Sequence, residues 1–403
     1  MANTLNLGTD GNWATKEDSL LAYNSENGNF KPLPFDFTRA SSATVVNKAG
    51  LIETVGSGKP RIDFLGNTKG ALLLEPQRTN LITYSEAFDN GYWIKTNSSA
   101  VSGFISPDGN NNAFKLVDST SLSAKDIRSS ANITPSIGSD YTTSIIVKGN
   151  GRDLGIWSYN GTVNYETYFD LTLGTVLSGN GVIEALSDGW YKCSLTVTAT
   201  TSSPNAYLCD LFITQGTTIS YQGNGTSGIY IYGAQLEQSS YATSYIPTQG
   251  SAVTRVADAS SQTVPSGIIG QTEGGVIYMD FIAQNTGATA QSHFFLGSAG
   301  SEIGLYGGNQ LIFYSSGGVS ISGGNIVTGQ RYKVAFAYET NDYAAYVNGV
   351  QVGVDTSATY PTMSSIFLNS YSNGTEIQKK EIKDFKLYNT RLSNAELQAL
   401  TTL

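Results

Sequence analysis

The feature that most constrains this chain is a hydrophobic period of two, broken at short intervals by tight-turn dipeptides. The run Tyr343-Ala-Ala-Tyr-Val-Asn-Gly-Val-Gln-Val352 reads as two strands joined at Asn348-Gly349. That dipeptide suits a type I′ hairpin turn, which needs positive φ at both central residues. Just before it, Tyr332, Val334, Phe336 and Tyr338 alternate with Lys333, Ala335, Ala337 and Glu339, the pattern of a strand with one buried face. Residues 141–147 and 190–197 behave likewise, and in the latter Tyr191, Cys193, Leu195 and Val197 share a face. Further strands are predicted at 165–173, 206–214 and 228–236, with turns at Asn160-Gly161, Asp188-Gly189 and Asn224-Gly225. Short antiparallel strands at this spacing imply sandwiches. No repeat of 20–50 residues is present, which argues against a solenoid or a propeller.

Two helices are predicted. One closes the chain, with Ser393 as N-cap, Glu396 completing a capping box, and Leu392 and Leu397 as the hydrophobic staple. The other is short, over residues 15–22, with Glu17 and Asp18 in its first turn. The predicted class is therefore all-β: two antiparallel β-sandwich (jelly-roll) domains after an irregular N-terminal attachment segment. That segment spans 1–82, is poor in apolar residues, and is broken by Pro32, Pro34, Gly50, Gly56, Gly58 and Pro60. It is expected to pack on a neighbour rather than around a core of its own. The first sandwich is placed at 83–247, a Gly-, Ser- and Thr-rich linker at 248–274, and the second sandwich at 275–403.

Charge narrows the function. Only 14% of residues are charged, and 32 acidic residues outnumber 23 basic ones. Nucleic acid demands a basic footprint, and anionic membranes attract one, so neither is expected as a partner. No run approaches the ~18 apolar residues of a spanning helix, and the first residues show no basic and apolar signal-peptide pattern. Cys193 and Cys209 lie in apolar strand-like runs and read as buried free thiols.

Catalytic signals are weak. His293 is the only histidine and alternates with Phe295 in a predicted strand, where a structural role is expected. Gly223-Asn-Gly-Thr-Ser-Gly228 matches a dinucleotide fingerprint in form, but a strand follows it rather than a helix. Glu166, Asp170, Glu184 and Asp210 form no recognisable catalytic pair in sequence. Asp10-Gly-Asn12 and the run from Asp108 to Asn112 have calcium-compatible oxygens but read better as turns. No cofactor and no metal are expected, and no enzymatic activity.

Sugar binding fits the residue types better. Aromatic rings stack on sugar C–H faces while amides and carboxylates direct the hydroxyls. Trp93, Trp157, Tyr159 and Tyr165 in the first sandwich, and Tyr306, Tyr314, Asn369 and Tyr371 in the second, are the candidate carbohydrate-binding residues; Trp190, behind its Asp-Gly turn, reads as core.

Three stretches carry resemblances. Phe37-Thr-Arg-Ala-Ser-Ser-Ala-Thr44, Gly50-Leu-Ile-Glu53, Pro60-Arg-Ile-Asp-Phe64 and Leu72-Leu-Leu-Glu-Pro-Gln-Arg-Thr-Asn-Leu81 resemble the N-terminal part of tailed-phage fibre and adhesin proteins. Asn80-Leu-Ile-Thr-Tyr-Ser-Glu-Ala-Phe88, Gly189-Trp-Tyr191 and Ile229-Tyr-Ile-Tyr-Gly-Ala-Gln-Leu-Glu237 look like a carbohydrate-binding-module jelly roll. Tyr346-Val-Asn-Gly349, Ile382-Lys-Asp-Phe-Lys-Leu-Tyr-Asn389 and Leu392-Ser-Asn-Ala-Glu396 are similar to concanavalin A-like, laminin-G-like lectin domains. These resemblances imply a bacteriophage virion-surface protein, assembled in the host cytoplasm. It would bind host-surface glycan, contact other virion proteins through its N-terminal segment, and form a homotrimer. The alternative is a structural or decorating head or tail protein whose sandwiches make only protein–protein contacts.

Overall fold

A computed structural model describes residues 4–24, 33–130, 133–202, 209–263, 273–283, 292–298, 301–307, 309–369 and 379–403. The chain divides into two compact units. The first combines residues 1–42, 55–77 and 256–403, and the second combines 43–54 and 78–255. The all-β class is what the structure shows: named strands pair antiparallel throughout, and the helix Asn394–Thr401 is the only α-helix among the described residues. Its capping box is present, with Glu396 Oε2 accepting from the Ser393 amide at 2.8 Å.

The second unit is a two-sheet sandwich. One sheet runs Trp93–Thr96, Asp126–Ser129, Asp210–Thr214, Asp153–Tyr159, Asn164–Asp170, Thr175–Ser178. The other runs Ser98–Phe104, Ala113–Asp118, Gly228–Glu237, Asp140–Asn150, Tyr191–Thr198, Val182–Ala185. The strand Tyr191–Thr198 buries Cys193, Leu195 and Val197 between the layers, as its alternation predicts, against Ile145, Leu154, Ile156, Phe169 and Leu211. Both cysteines are free and buried, and burial pushes their thiols up in pKa. The motif residues Asn80 and Glu237 are internal fasteners. Asn80 donates to the Ala234 and Ile246 carbonyls at 3.1 and 2.8 Å, and Glu237 accepts from the amide and hydroxyl of Thr243.

In the first unit one layer runs Val350–Asp355, Tyr343–Val347, Arg331–Tyr338, Gly275–Ala283, Lys380–Tyr388. Along the far side of Lys380–Tyr388 lie Thr4–Leu7 and Ala71–Leu74. The other layer runs Ser19–Asn24, Leu33–Thr38, Ala259–Thr263, Ser365–Phe367, Ser292–Ser298, Ser301–Tyr306, Gln310–Ser315, Val319–Asn325. The Asn348-Gly349 hairpin has positive φ at both residues, 49° and 81°, as a type I′ turn requires.

Three expectations are corrected here. Residues 15–22 form two strands, Thr15–Lys16 and Ser19–Asn24, joined through Glu17 at φ 53°. Leu20 and Ala22 are wholly buried while Leu21 between them is not, so a period of two overrides the helix-like acidic start. Residues 1–82 are not a segment apart. Leu5, Leu7, Leu20, Phe35, Phe37, Leu72 and Leu74 belong to the same core as Phe281, Phe313 and Phe385. The span 248–274 is not simply a linker, because Val253–Arg255 pairs with Arg78–Asn80 and Ala259–Thr263 lies between Leu33–Thr38 and Ser365–Phe367. Residues 264–272 of that span lie outside the described residues.

A buried ionic cluster ties these pieces of the first unit together. Asp258 accepts from Arg39 Nη1 at 2.9 Å, from Arg61 Nη2 and from the Glu75 amide at 2.8 Å. Arg61 Nη1 reaches Glu75 Oε2 at 2.9 Å, and all four side chains have no solvent exposure. Burial alone would lower the Arg61 pKa; Asp258 and then Glu75 reverse that and raise it overall.

Candidate functional site

Strand alternation in the first-described sheet of the second unit sets the outward side chains. Cross-strand register aligns Ile94, Arg128, Asp210, Trp157 and Glu166 in one row. The next row is Thr96, Asp126, Phe212, Gly155, Tyr168 and Ser178. The alternate residues Ile127, Leu211, Ile156 and Phe169 point into the core. The outward face thus carries an aromatic patch bordered by carboxylates.

Trp157 and Phe212 have ring centroids 4.5 Å apart at 38°. Trp157 Nε1 donates to the Tyr168 hydroxyl at 3.3 Å, and that hydroxyl donates to Glu166 Oε2 at 2.7 Å. Gly155 lies between Phe212 and Tyr168 in register. A Cβ there would stand 3.2 Å from both Thr214 Cγ2 and Tyr168 Cε1, so glycine lets the Tyr168 ring and Thr214 pack directly over the strand. Phe212 and Tyr168 retain 6% and 8% exposure, while Trp157 is half-buried and Glu166 exposed.

Asp126 is 5% exposed, and its Oδ2 has no hydrogen-bond partner. Asp210, diagonal to it on the face, also has an unpartnered oxygen, Oδ1. Burial and then repulsion from Asp126 push the Asp210 carboxyl up to about 7, against the pull of Arg128. Burial also raises Asp126. A carboxyl raised in the folded state adds stability that is present below its unfolded pKa of ~3.9 and lost as pH rises through the folded value. The second unit is therefore expected to be less stable at pH 8 than at pH 5. Asp210→Asn should remove most of that loss, on the order of 2 kcal/mol at pH 8 after allowance for solvent screening. Urea titrations of both proteins at the two pH values measure it, and an unchanged pH slope in the variant would show the carboxyl to be of ordinary pKa.

The sequence-predicted residues divide. Trp157 and Tyr159 share the outward face, since they are two apart on one strand. Tyr165 has the opposite parity to Glu166 and Tyr168, so it points away from that face although it is exposed. Trp93 is a correction: at 2% exposure it packs 5.0 Å from Phe88 and donates from Nε1 to the Tyr84 carbonyl at 2.8 Å, so it offers no stacking surface. Trp190 is core, as expected. The Asp108 turn is closed on itself, its carboxylate accepting from the amide of Asn110 at 2.8 Å and from Asn112 Nδ2 at 3.1 Å.

In the first unit Tyr306 and Tyr314 come together on an outward face, centroids 5.8 Å apart and edge-on, beside Gly304. Asn369 is a second correction: it is fully buried and donates from Nδ2 to the Asp258 carbonyl at 2.5 Å, so it braces the ionic cluster. Tyr371 lies outside the described residues, and for His293 only its place in the strand Ser292–Ser298 is described. Asp126, Arg128, Tyr168 and Phe212 were not found from sequence. Each sits in an ordinary alternating strand, and only the register of strands distant in sequence brings them together.

The described residues form two antiparallel β-sandwich units. Within the first, residues 277–398 match the family model described as the concanavalin A-like lectin/glucanases superfamily. The match stops short of the strands from residues 4–74 that share the same sheets. No curated protein matches the chain. Among solved structures, the Ruminococcus gnavus IT-sialidase CBM40 bound to α2,3-sialyllactose aligns at TM-score 0.29 and 15% identity, over 32% of this chain and 83% of that one. Domain 4 of AbnA, an extracellular GH43 arabinanase from Geobacillus stearothermophilus in complex with arabinotriose, aligns at 0.30 and 17%, over 40% and 82%. The botulinum neurotoxin serotype D binding domain aligns at 0.29 and 15%, over 35% of this chain and 40% of that one.

Proposed function

We propose that this chain is a non-catalytic glycan-binding protein and that the outward face around Trp157 and Phe212 takes the sugar. The observation that carries the reading is the half-buried Trp157 ring packed on Phe212 on the outward face, with the exposed Glu166 carboxylate beside it in register. The Trp157 ring supplies a platform for a pyranose face, and the exposed Glu166 carboxylate accepts its hydroxyls. The lectin-superfamily match to residues 277–398 supports a second sugar-binding surface at Tyr306 and Tyr314. One aromatic platform contributes about 1–2 kcal/mol, so single sites are weak and useful adhesion comes from several copies engaging one surface.

The finer reading is a tailed-phage fibre or adhesin component at the virion surface, acting as a homotrimer on host glycan. The resemblance of the segments between Phe37 and Leu81 supports it. An attachment role for residues 1–82 loses its footing, because their described strands are woven into the first unit. The rival, a decorating virion protein without sugar affinity, separates on a glycan array of the purified protein. Trp157→Ala is expected to weaken glycan binding about tenfold, equivalent to about 1.4 kcal/mol, with an unchanged unfolding midpoint. Array binding that ignores both Trp157→Ala and Tyr314→Ala would move the site elsewhere, and no array binding at all would favour the decorating role.

A further inference from the structure

We propose that a cavity of the first unit, built by residues 6–23, takes a single neutral pyranose, the uncharged hexose ring at the end of a glycan. The inference rests on the glycan-binding reading above for its ligand class. It adds a site on the other unit from Trp157 and outside the matched residues 277–398.

The cavity has a volume of about 420 Å³ and is lined by Asn6, Gly8, Thr9, Asn12, Leu21 and Tyr23. That falls within the roughly 300–1,000 Å³ of small-molecule sites. Strand pairing builds its floor. Leu5 and Leu7 are buried on one side of Thr4–Leu7, and Leu20 and Ala22 on one side of Ser19–Asn24, so Asn6, Leu21 and Tyr23 stand on the opposite, outward side. Asn6 and Tyr23 oppose each other directly in register. The turn Thr9–Gly11 builds the rim. It closes on itself, the Gly11 amide donating to the Gly8 carbonyl at 2.9 Å and the Asn12 amide to the Thr9 carbonyl at 3.1 Å. Gly8 has φ 73°, and a Cβ there would lie 2.2 Å from Trp13 Cζ2. Trp13 thus packs on bare backbone, and its Nε1 donates to the Gly70 carbonyl at 3.3 Å, which fixes the rim before a ligand arrives.

The lining chemistry selects the ligand. The six residues include no carboxylate, amine or guanidinium. Asn6 and Asn12 carry amides, which both donate and accept. The Thr9 hydroxyl donates its proton to Asp384 Oδ1 at 2.7 Å, so it meets a ligand as an acceptor; Lys386 Nζ holds the other oxygen of Asp384 at 3.0 Å. A hexose ring suits this set, because its hydroxyls donate and accept while its C–H face lies on the Tyr23 ring beside Leu21. A sialic or uronic carboxylate would meet no cation in the lining and would have Asp384 behind Thr9, so acidic sugars are rejected.

The test uses the full chain carrying Trp157→Ala, which removes the platform of the other unit and isolates the cavity. The probes are the methyl glycosides of glucose, galactose and mannose, with glucuronic acid and N-acetylneuraminic acid as acidic counterparts. Titration followed by saturation-transfer NMR should show binding of at least one neutral glycoside and of neither acid. Adding Asn12→Ala, a change at an exposed side chain, should weaken that binding about fivefold, the usual loss on deleting one neutral hydrogen-bonding group. Adding Tyr23→Ala instead should abolish it; if the unfolding midpoint shows that Tyr23→Ala disturbs the fold, Asn12→Ala decides. No binding of any neutral glycoside, equal binding of the acids, or binding indifferent to Asn12→Ala would overturn the proposal. Glycoside binding by the unsubstituted chain that disappears with Trp157→Ala would overturn it while leaving the glycan-binding reading standing. Absence of glycoside binding together with absence of all array binding would remove both.

Discussion

Deletion of residues 1–42 is expected to abolish the cooperative unfolding of the unit that contains residues 256–403, while the transition of the other unit persists. The deletion removes Leu5, Leu7, Leu20, Phe35 and Phe37, all essentially buried in the core with Phe281 and Phe385. At about 2 kcal/mol each, burial of five large apolar side chains is comparable with the entire stability of a domain, ~5–15 kcal/mol. It also strips the strand Leu33–Thr38 from Ala259–Thr263 and takes Arg39 from the ionic cluster. Differential scanning calorimetry should show two transitions in the full chain and one in the truncation. Two intact transitions in the truncation would mean that these strands are dispensable additions.

The second large effect is expected at Asp258. Substitution by Ala leaves two guanidiniums, Arg39 and Arg61, without solvent exposure and with Glu75 as the remaining carboxylate of the cluster. Breaking a buried pair by removing one partner costs about 3–5 kcal/mol, a fall in Tm of roughly 10 °C for a unit of this size. It also frees the Glu75 amide, which Asp258 accepts at 2.8 Å. Lys69→Ala is the matched control: its contact with Asp10 at 3.4 Å is solvent-exposed, and its loss should leave Tm unchanged. Equal Tm shifts for the two variants would mean that the buried cluster is no more than an incidental pairing.

These two sites show where sequence reading stops. The hairpin at Asn348-Gly349, the Ser393–Glu396 capping box and the faces of Tyr191–Thr198 are local, fixed by turn chemistry or by a period within one element, and they are plain in the sequence. Arg39, Arg61 and Glu75 fall within segments that carried the fibre-protein resemblance, yet charged residues read as surface unless a partner is known. Here the partner is Asp258, 219 and 197 positions from the two arginines. The candidate site divides the same way. Trp157 and Tyr159 were visible because aromatics beside a turn suggest a rim. Asp126 and Phe212 became part of the face only through pairing of the strands Asp126–Ser129 and Asp210–Thr214. Trp93 was misplaced because the side of a strand that faces the core depends on which sheet covers it.

The pairing of Leu5 with Leu387 sets a timetable for biosynthesis. The strand Thr4–Leu7 emerges early, but its neighbour Lys380–Tyr388 is made about 375 residues later, roughly 20–80 s at ~5–20 residues per second. In that interval the second unit, whose chain is complete by residue 255, can fold while the first waits with Leu5, Leu20, Phe35 and Leu72 unburied. Ribosome-bound chains arrested once residue 255 has cleared the exit tunnel should thus hold one protease-resistant body and a protease-sensitive leader, and the leader should gain protection only after the final strand has left the tunnel.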